Sequence, residues 1–506
     1  MAAASNMSLA GQCTSATFGT PNVFGAEVLA IQAALVTGYS SNVPQAYNFN
    51  HGPITVTNAS FCNVTNWNRR LQAQGGGGWV SGRFLLSDYG MAGAIGEGYA
   101  TVTTDAGVTH DLTQTPAKWA LNSPSNVNLY GLQNLGSVSL NDMAIFAKDL
   151  IQSYYGERPA YSYWNGCSQG GRQGMMLAQR YPDAFDGIAA SAPAFNWPEF
   201  IGSGLWPDLQ MWWAGKAPDL CELDAIQTEA IIACDSQDGI PDGLLSESNN
   251  CIFNPFSVVG KSFTCASTNS TMVISEIAAQ VANASWTGAT STEGELLWYG
   301  PNVGTDLTGH TYGEGSGIVT TTCTNGTCSV TPYSLAEQWT TYFVEKNASF
   351  DVSKMTAEDF QTAFHQGVNQ FTSMIGSNDP DLRAFHKKGR RIMGFHGLAD
   401  GIIPTKGTEH YYRRVTEIIA EVQDFYRYFP APAVGHCFGG PGGVPTTLFD
   451  SLRAWVENGT VPEHLPTTFT DSSNKTNTRI LCPYPRKSVY DESCGDSTIA
   501  ECFSCV

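Results

Sequence analysis

The sequence is poor in charge, and above all in positive charge. Only 14% of its 506 residues are charged, well below the roughly 25% of an average soluble protein. Lys and Arg number 26 against 45 Asp and Glu, which gives a formal net charge of −19. A nucleic-acid backbone or an anionic membrane surface repels such a chain. The composition therefore predicts no nucleic-acid partner and no membrane partner.

Long apolar runs, internal repeats and metal-finger motifs are also missing. No stretch of 18 or more apolar residues is present, which excludes an ordinary transmembrane helix. The absence of a fixed period or of heptads excludes solenoids and coiled coils. There is no zinc motif, and we expect no organic cofactor. The segment Met1–Cys13 lacks a basic stretch followed by an apolar one, so we interpret the chain as a mature secreted protein without its signal peptide.

Apolar residues, cysteines and glycosylation motifs are abundant instead. Apolar residues make up 42% of the chain and aromatics 11%, enough for a large core and against global disorder. An even count of 14 cysteines, together with nine Asn-x-Ser/Thr motifs, indicates secretion to the extracellular space through an oxidising compartment. Reduced thiols in a cytosolic protein are the alternative. The motifs begin at Asn6, Asn58, Asn63, Asn269, Asn283, Asn325, Asn347, Asn458 and Asn474.

Short apolar segments alternate with amphipathic ones from about Tyr99 onward. Strands buried on both faces and separated by helices are typical of a mostly parallel sheet covered on both sides. The sequence therefore predicts an α/β fold. The predicted strands are 161–164 (ending at Gly166), 187–191, 391–395 and 425–429, and the predicted helices are 170–180 and 409–423.

The middle of the chain has a different composition. It holds six cysteines, four glycosylation motifs and a Gly/Thr-rich stretch at 300–331, which is too long to be structureless inside a compact sheet domain. We predict that residues 206–380 form a separate inserted domain, and that 1–205 and 381–506 together form the discontinuous α/β domain that it interrupts. A set of irregular surface loops is the alternative.

The most specific motif is Gly166-Cys167-Ser168-Gln169-Gly170, between a predicted strand and a predicted helix. Its glycines permit the tight turn that lifts a serine Oγ above the sheet edge. The helix that follows directs free N–H groups and its positive end at the same place. The motif predicts Ser168 as a nucleophile, with an ordinary strand-to-helix turn as the alternative. Cys167 is the weaker candidate, because an oxidising compartment would bridge it.

An α/β-hydrolase carries its acid and then its base after the serine. Asp400 directly follows the predicted strand 391–395, and His436 follows the next helix and strand. Both lie in loops at the carboxyl ends of strands, the edge where open α/β sheets bind ligands. We predict that His436 activates Ser168 and that Asp400 fixes the imidazole tautomer. His396 belongs to a strand end, and we expect it to pack or to support this group.

Cysteines flank two members of this predicted triad. Cys167 precedes the serine, and Cys437 follows His436. If serine and histidine meet at hydrogen-bond distance, about 2.6–3.2 Å, the two cysteines come within disulfide reach. A bridge would then tie the nucleophile to the base. Pairing of each cysteine elsewhere is the alternative.

These motifs resemble the tannase and fungal feruloyl esterase family of secreted serine esterases. The resemblance spans nearly the whole chain, and position 169 departs from it, because members carry residues other than Gln there. It implies an α/β-hydrolase fold with a lid inserted over the site, the Cys167–Cys437 bridge, and hydrolysis of ferulate or gallate esters of alcohols or sugars. The matching segments are 166–172, 396–400, 435–437, 75–78, 98–101 and 234–251. Proximity and resemblance also suggest the pairs Cys13–Cys62, Cys234–Cys251 and Cys323–Cys328.

Acyl transfer on a serine also needs two donors for the oxyanion. The backbone N–H of Gln169, directly after the nucleophile, is predicted as one of them. The glycine run Gly75–Gly78 follows an early strand and fits the second, because bare backbone can approach the substrate. We favour Gly76 or Gly77. A merely flexible turn is the alternative.

An acidic, glycine-interrupted loop lies between Cys234 and Cys251. Three carboxylates at steps of three and four can surround one hard cation, with carbonyl oxygens completing the shell. It is not an EF-hand, because the twelfth position is Ser246. The family resemblance implies a structural Ca²⁺ in the lid, and a solvated acidic turn is the alternative. The implied ligands are the side chains of Asp235, Asp238 and Asp242 and the carbonyl oxygens of Ile240 and Leu244.

Together these features predict a secreted serine esterase that forms an acyl-enzyme on Ser168. The expected substrate is a small phenolic ester or an ester of plant cell walls or tannins, with feruloyl slightly favoured over galloyl. One alternative is a calcium-stabilised glycoprotein that binds glycans or phenolics without activity. The other is a lipase-like hydrolase on the same frame.

Overall fold

A computed structural model describes residues 13–62, 67–108, 115–246, 248–312, 317–471 and 473–506. Its centre is a six-stranded sheet in which every neighbouring pair is parallel. The spatial order is β6-β5-β4-β3-β1-β2. The strands are β1 (Arg70–Gln74), β2 (Ala100–Val102), β3 (Tyr161–Cys167), β4 (Gly187–Ser191), β5 (Arg391–Gly397) and β6 (Tyr426–Ala431). This sheet confirms the predicted α/β fold.

The helices divide between the sheet and the inserted region. Those that flank the sheet come from both ends of the chain, and those of the insertion lie between β4 and β5. The helices of seven or more residues are α1 (Leu85–Gly96), α2 (Ser139–Tyr155), α3 (Gln169–Arg180), α4 (Trp197–Ser203), α5 (Trp206–Ala214), α6 (Leu220–Cys234), α7 (Glu276–Thr287), α8 (Ala357–Ile375), α9 (Thr405–Ile418) and α10 (Leu448–Asn458).

The remaining regular structure consists of short helical turns and two-stranded antiparallel ribbons. The ribbons pair Val36–Val43 with Ile54–Phe61, Leu121–Ser123 with Asn126–Val127, Ser262–Thr264 with Thr271–Val273, Ala289–Thr290 with Leu296–Trp298, Thr321–Thr324 with Thr327–Val330, Leu465–Thr470 with Thr476–Leu481, and Ser488–Tyr490 with Phe503–Cys505. Every helix in the described part of the chain is too short or too polar to span a lipid bilayer.

One predicted helix has wrong boundaries. The segment predicted as 409–423 begins instead at Thr405, directly after Pro404, and ends at Ile418. Ile419 then takes an extended conformation, and both it and Val422 are buried in the sheet core. The burial of these two side chains turns the chain toward β6, which overrides the helical pattern.

The three largest apolar clusters of the described residues form the interior. Two of them are formed by the sheet and its flanking helices. The other belongs mainly to the insertion, but it also takes in Trp79, Trp119 and Leu135 from the first part of the chain. The apolar core of the insertion therefore extends beyond residues 206–380.

All fourteen cysteines are paired, so no thiol is free. The four pairs expected from the sequence are among the seven disulfides. These are Cys13–Cys62, Cys167–Cys437, Cys221–Cys265, Cys234–Cys251, Cys323–Cys328, Cys482–Cys505 and Cys494–Cys502.

Candidate active site

Ser168 occupies a sharp turn between β3 and α3. Its backbone has φ 63° and ψ −126°, a conformation that L-residues rarely adopt. The turn is tight because a Cβ on Gly166 would lie 2.5 Å from the carbonyl carbon of Gly170. The Ser168 N–H donates to the carbonyl of Ser191 at 3.1 Å, which ties the turn to the end of β4. The side chain is half-buried at the carboxyl edge of the sheet.

His436 and Asp400 meet Ser168 from two other loops at the same edge. The Nε2 atom of His436 lies 2.9 Å from the Ser168 Oγ, and its Nδ1 atom lies 2.8 Å from Asp400 Oδ2. Asp400 follows β5 and is buried, whereas the His436 side chain is 14% exposed. This chain of hydrogen bonds can pass a proton from the serine hydroxyl to the imidazole.

Asp400 is held as a carboxylate by four donors. Its Oδ1 accepts the N–H groups of Ile402 and Ile403 at 2.9 and 2.8 Å. Its Oδ2 faces His436 and also the Nε2 of His396, at 3.0 Å. Burial alone would raise the pKa of Asp400, but the charge and hydrogen bonds of the two histidines outweigh it. The pKa of Asp400 therefore lies well below its usual range.

His396 supports the acid and does not touch the serine. Its Nε2 lies 3.0 Å from both Asp400 Oδ2 and the Ile403 carbonyl, and both of those atoms are acceptors. Its Nδ1 lies 2.8 Å from the Thr408 hydroxyl. Nε2 is therefore the donor to both acceptors, and Nδ1 is hydrogen-bonded to the Thr408 hydroxyl. The position fits the packing and supporting role expected from the sequence.

The Cys167–Cys437 disulfide connects the residue before the serine to the residue after the histidine. Both cysteines are buried, and Ala192 packs against them. The bridge joins the end of β3 to the loop after β6, two segments 270 residues apart. It therefore limits the relative movement of Ser168 and His436.

The two favoured glycines of the oxyanion loop are already hydrogen-bonded. The N–H of Gly76 donates to the Gln173 side chain at 2.9 Å, and the N–H of Gly77 donates to the Val80 carbonyl at 3.2 Å. Neither is available to an oxyanion without breaking a bond, so the structure argues against both. Within the described residues the N–H of Gly78 has no such partner. Gln169 is the first residue of α3, where helical N–H groups lack an intrahelical acceptor.

Trp79 is a residue near the site that sequence reasoning missed. It follows the glycine run and is fully buried, with its ring 4.9 Å from Phe343 and 5.2 Å from Trp197. These ring contacts anchor the loop that carries Gly78 to the aromatic cluster of the insertion. A large apolar residue directly after a flexible run is the only sequence feature that pointed to this anchor.

The acidic loop brings oxygen donors together but keeps them hydrogen-bonded. Asp235 accepts the N–H of Gly243, Asp238 those of Ile240 and Ser246, and Asp242 that of Leu244. Asp242 also pairs with Arg479 at 3.1 Å. Burial, and less strongly the neighbouring carboxylates, raises the pKa of Asp238 and of Asp242. An all-oxygen, acidic set fits calcium in its chemistry.

The carboxylate oxygens of this loop do not lie close enough together to form a coordination shell. Among the described His, Cys, Asp and Glu side chains, the only group of three with ligand atoms within 4.8 Å of one another is Asp219, Cys323 and Cys328. Those two cysteines form a disulfide, so that group is no metal site. Calcium binding by the acidic loop would require its carboxylate oxygens to move closer to one another.

A cavity of about 410 Å³ lies between the acidic loop and the C-terminal ribbons. Asp238, Asp242, Arg479 and Leu398 are among the residues that line it, and neither Ser168 nor His436 does. The cavity is therefore separate from the candidate active site.

The parallel sheet, the serine turn and the hydrogen-bonded acid and base define an α/β-hydrolase. A sequence profile described as "Tannase and feruloyl esterase" matches residues 60–506. A "Probable feruloyl esterase" from Arthroderma benhamiae is 40% identical over 446 residues, which cover 87% of this chain and 80% of that protein. The chain belongs to the tannase and feruloyl esterase family, and it is a carboxylic ester hydrolase.

Solved structures share the fold. The tannin acyl hydrolase from Aspergillus niger superposes with a TM-score of 0.84 at 23% identity, covering 98% of this chain and 95% of its own. Feruloyl esterase B from Aspergillus oryzae superposes with a TM-score of 0.75 at 24% identity, covering 99% of this chain and 100% of its own.

Proposed function

We propose that this protein is a secreted esterase that cleaves feruloyl esters through an acyl-enzyme on Ser168. The observation that carries the proposal is the continuous hydrogen-bonded chain from the Ser168 Oγ through His436 to Asp400. A serine hydroxyl is a weak nucleophile until a base removes its proton. The intact base and acid at hydrogen-bond distance favour catalysis over the binding-protein alternative.

In the proposed reaction, the Ser168 Oγ attacks the ester carbonyl carbon while His436 Nε2 takes the hydroxyl proton. The carbonyl oxygen becomes an oxyanion facing the N–H groups of Gln169 and Gly78. When the tetrahedral intermediate collapses, His436 returns its proton to the leaving alcohol. A water molecule, deprotonated by His436, then hydrolyses the acyl-serine and releases the phenolic acid. Asp400 stabilises the imidazolium in both steps.

Feruloyl rather than galloyl esters are proposed as the preferred substrates. The support is the 40% identical relative named as a feruloyl esterase and the segment Gly166–Gln173. We expect kcat/KM for methyl ferulate to exceed that for methyl gallate by about ten-fold, a common size for pocket discrimination. Paired initial rates on the two esters measure this directly.

A matched preparation blocked with a fluorophosphonate should hydrolyse neither ester, because the reagent modifies the activated serine. A preference for methyl gallate would reverse the substrate assignment. Absence of turnover on both esters by protein that the reagent labels would reject the phenolic ester and leave a different serine hydrolase.

Secretion is proposed from the cysteines and the glycosylation motifs. Seven disulfides with no free thiol suit an oxidising compartment. The motifs at Asn6 and Asn63 lie outside the described residues. Of the other seven, only Asn283 is not exposed, and exposure is what an attached glycan requires.

The acidic loop is proposed to bind one structural Ca²⁺ through Asp235, Asp238, Asp242 and the carbonyls of Ile240 and Leu244. Removing a bound ion lowers stability because only the folded state binds it. We expect a chelator to lower the melting temperature by about 2–5 °C, and added Ca²⁺ but not Mg²⁺ to restore it. Differential scanning calorimetry is the measurement.

Two variants locate this effect. Asp238→Asn should abolish the calcium dependence of the melting temperature. Asp491→Asn is the matched control and should keep it, because Asp491 accepts a backbone N–H two residues on, from Ser493, as Asp238 does from Ile240. A wild-type melting temperature that a chelator does not change would argue against the ion.

A further inference from the structure

Arg172 is a fully buried arginine one helical turn beyond the candidate nucleophile. Its side chain is 0% exposed, and its backbone N–H donates to the Ser168 carbonyl at 2.9 Å. Its guanidinium lies 5.8 Å from the ring of Trp197. None of the steps proposed above uses this side chain, although a buried charge costs the fold stability.

The guanidinium is satisfied by neutral oxygens alone. An arginine side chain has five N–H donors in a fixed planar fork. Five oxygen acceptors contact this one: Nε and Nη2 each donate to one oxygen, and three oxygens share the two N–H groups of Nη1. The five acceptors are Gln169 Oε1 at 2.5 Å, Ser377 Oγ at 3.0 Å, and the carbonyls of Gly136 at 3.1 Å, Leu135 at 3.1 Å and Ile375 at 3.5 Å. No carboxylate among the described residues pairs with it.

The charge therefore persists without a counter-ion. Burial, and secondarily the positive charge of Arg180, lowers the pKa of Arg172 to about 9, so that it stays protonated at neutral pH. A lysine would bring the same charge but only three donors on a flexible stem. The three nitrogens of the planar guanidinium reach oxygens of three different segments, which a single ammonium nitrogen does not.

The acceptors come from three segments that are distant in sequence. Gln169 belongs to the nucleophile turn, and its own N–H is a proposed oxyanion donor. The carbonyls of Leu135 and Gly136 belong to the helical segment that precedes α2. Ile375 and Ser377 lie at the end of α8, where the lid returns to the sheet. Arg172 therefore connects the nucleophile turn to the other two segments through hydrogen bonds.

We propose that Arg172 is a positioning residue. It holds the Ser168–Gln169 turn in its reactive orientation by fixing it to the 135–136 segment and to the end of α8. This inference rests on the proposed role of Ser168. The buried Gln169 side chain has its Oε1 on the Arg172 Nε, while its Nε2 has no hydrogen-bond partner. Among the described residues, Arg172 is therefore the only hydrogen-bond partner that orients this side chain.

The test compares kcat and KM on methyl ferulate for full-length variants, each assayed well below its melting temperature. Arg172→Met removes the fork and the charge, and Arg172→Lys removes only the fork. We expect both to lower kcat by about ten-fold or more while KM changes less than about three-fold, because the interaction serves the transition state rather than binding. The rate of fluorophosphonate labelling should fall in parallel.

Gln169 provides a second route if the Arg172 variants do not fold. Gln169→Leu removes only the link between the guanidinium and the turn, and should also lower kcat. Gln169→Glu restores an acceptor and should recover turnover relative to the leucine variant. This rescue by a conservative change is not expected of a residue that merely stabilises the fold.

Arg180 is the matched control on the same helix. It also connects the helical segment before α2 to α8, through Ser137 Oγ and the Ser373 carbonyl, but it is exposed and lies two turns further from Ser168. Arg180→Met should leave kcat unchanged. Full turnover in Arg172→Lys, or equal turnover in the two Gln169 variants, would overturn the inference. An inactive wild type would instead reject the proposed function.

Discussion

Replacing Ser168 with alanine should abolish hydrolysis of methyl ferulate, with kcat falling by at least about 10⁴-fold. In the proposed reaction the serine oxygen becomes acylated, and without it His436 has no nucleophile to activate. Alanine is expected to keep the fold, because the serine Oγ makes one hydrogen bond, to His436. The strained φ of this turn is also the same for both residues. Initial rates and a melting curve, measured together, check both expectations.

Ser162→Ala is the matched control for this variant. Ser162 lies on the same strand, at the opposite end of the sheet, and its Oγ bonds to Asp186 at 2.8 Å. Its loss should leave kcat unchanged. Fluorophosphonate should label the wild type and the control but not the Ser168 variant. Turnover by the Ser168 variant above one per cent of wild type would refute the nucleophile assignment.

The sheet and the triad arrangement could be predicted because their determinants are local. Each strand that leads to a candidate residue is short and largely buried, and the glycines that close the Ser168 turn stand beside it in sequence. Asp400 and His436 follow their strands directly, so the carboxyl edge of a parallel sheet brings them together. The neighbouring cysteines then fall within bridging distance without further information.

The oxyanion loop could not be predicted to the residue, because its outcome depends on distant partners. The Gly76 N–H is engaged by Gln173, 97 residues further along the chain. The Gly77 N–H donates to the carbonyl of Val80, where the chain turns back. Neither bond leaves a trace in the glycine pattern. Only the positions of these partners leave Gly78 as the candidate.

The extent of the apolar core of the insertion and the geometry of the acidic loop could not be predicted from the sequence, for different reasons. Trp119 and Leu135 pack into the apolar core of the insertion. Such packing between segments distant in sequence leaves no periodic pattern in the sequence. The spacing of Asp235, Asp238 and Asp242 determines donor chemistry but not whether the oxygens converge. Arg172 stood within a recognised motif, yet its burial depends on carbonyls from segments more than 30 and 200 residues away.

Asp400→Asn should lower kcat by about 10³–10⁴-fold through a change of tautomer. One side of the carboxylate accepts two backbone N–H groups, from Ile402 and Ile403. An amide NH₂ on that side would clash with two backbone donors. On the other side it would displace the His396 Nε2–H from its acceptor and face His436 Nδ1. That nitrogen would then have to accept, which places the imidazole proton on Nε2. A protonated Nε2 cannot take the proton of Ser168.

Asp306→Asn separates this effect from loss of a buried carboxylate. Asp306 is equally buried and accepts the N–H groups of Thr308, Gly309 and Tyr312, but it faces no histidine. Its replacement should lower the melting temperature and leave kcat unchanged. The pH–rate profile distinguishes the variants further, because only Asp400→Asn removes the group that stabilises the His436 imidazolium. If turnover fell equally in both variants, the loss would reflect disturbed folding, and the tautomer argument for Asp400 would fail.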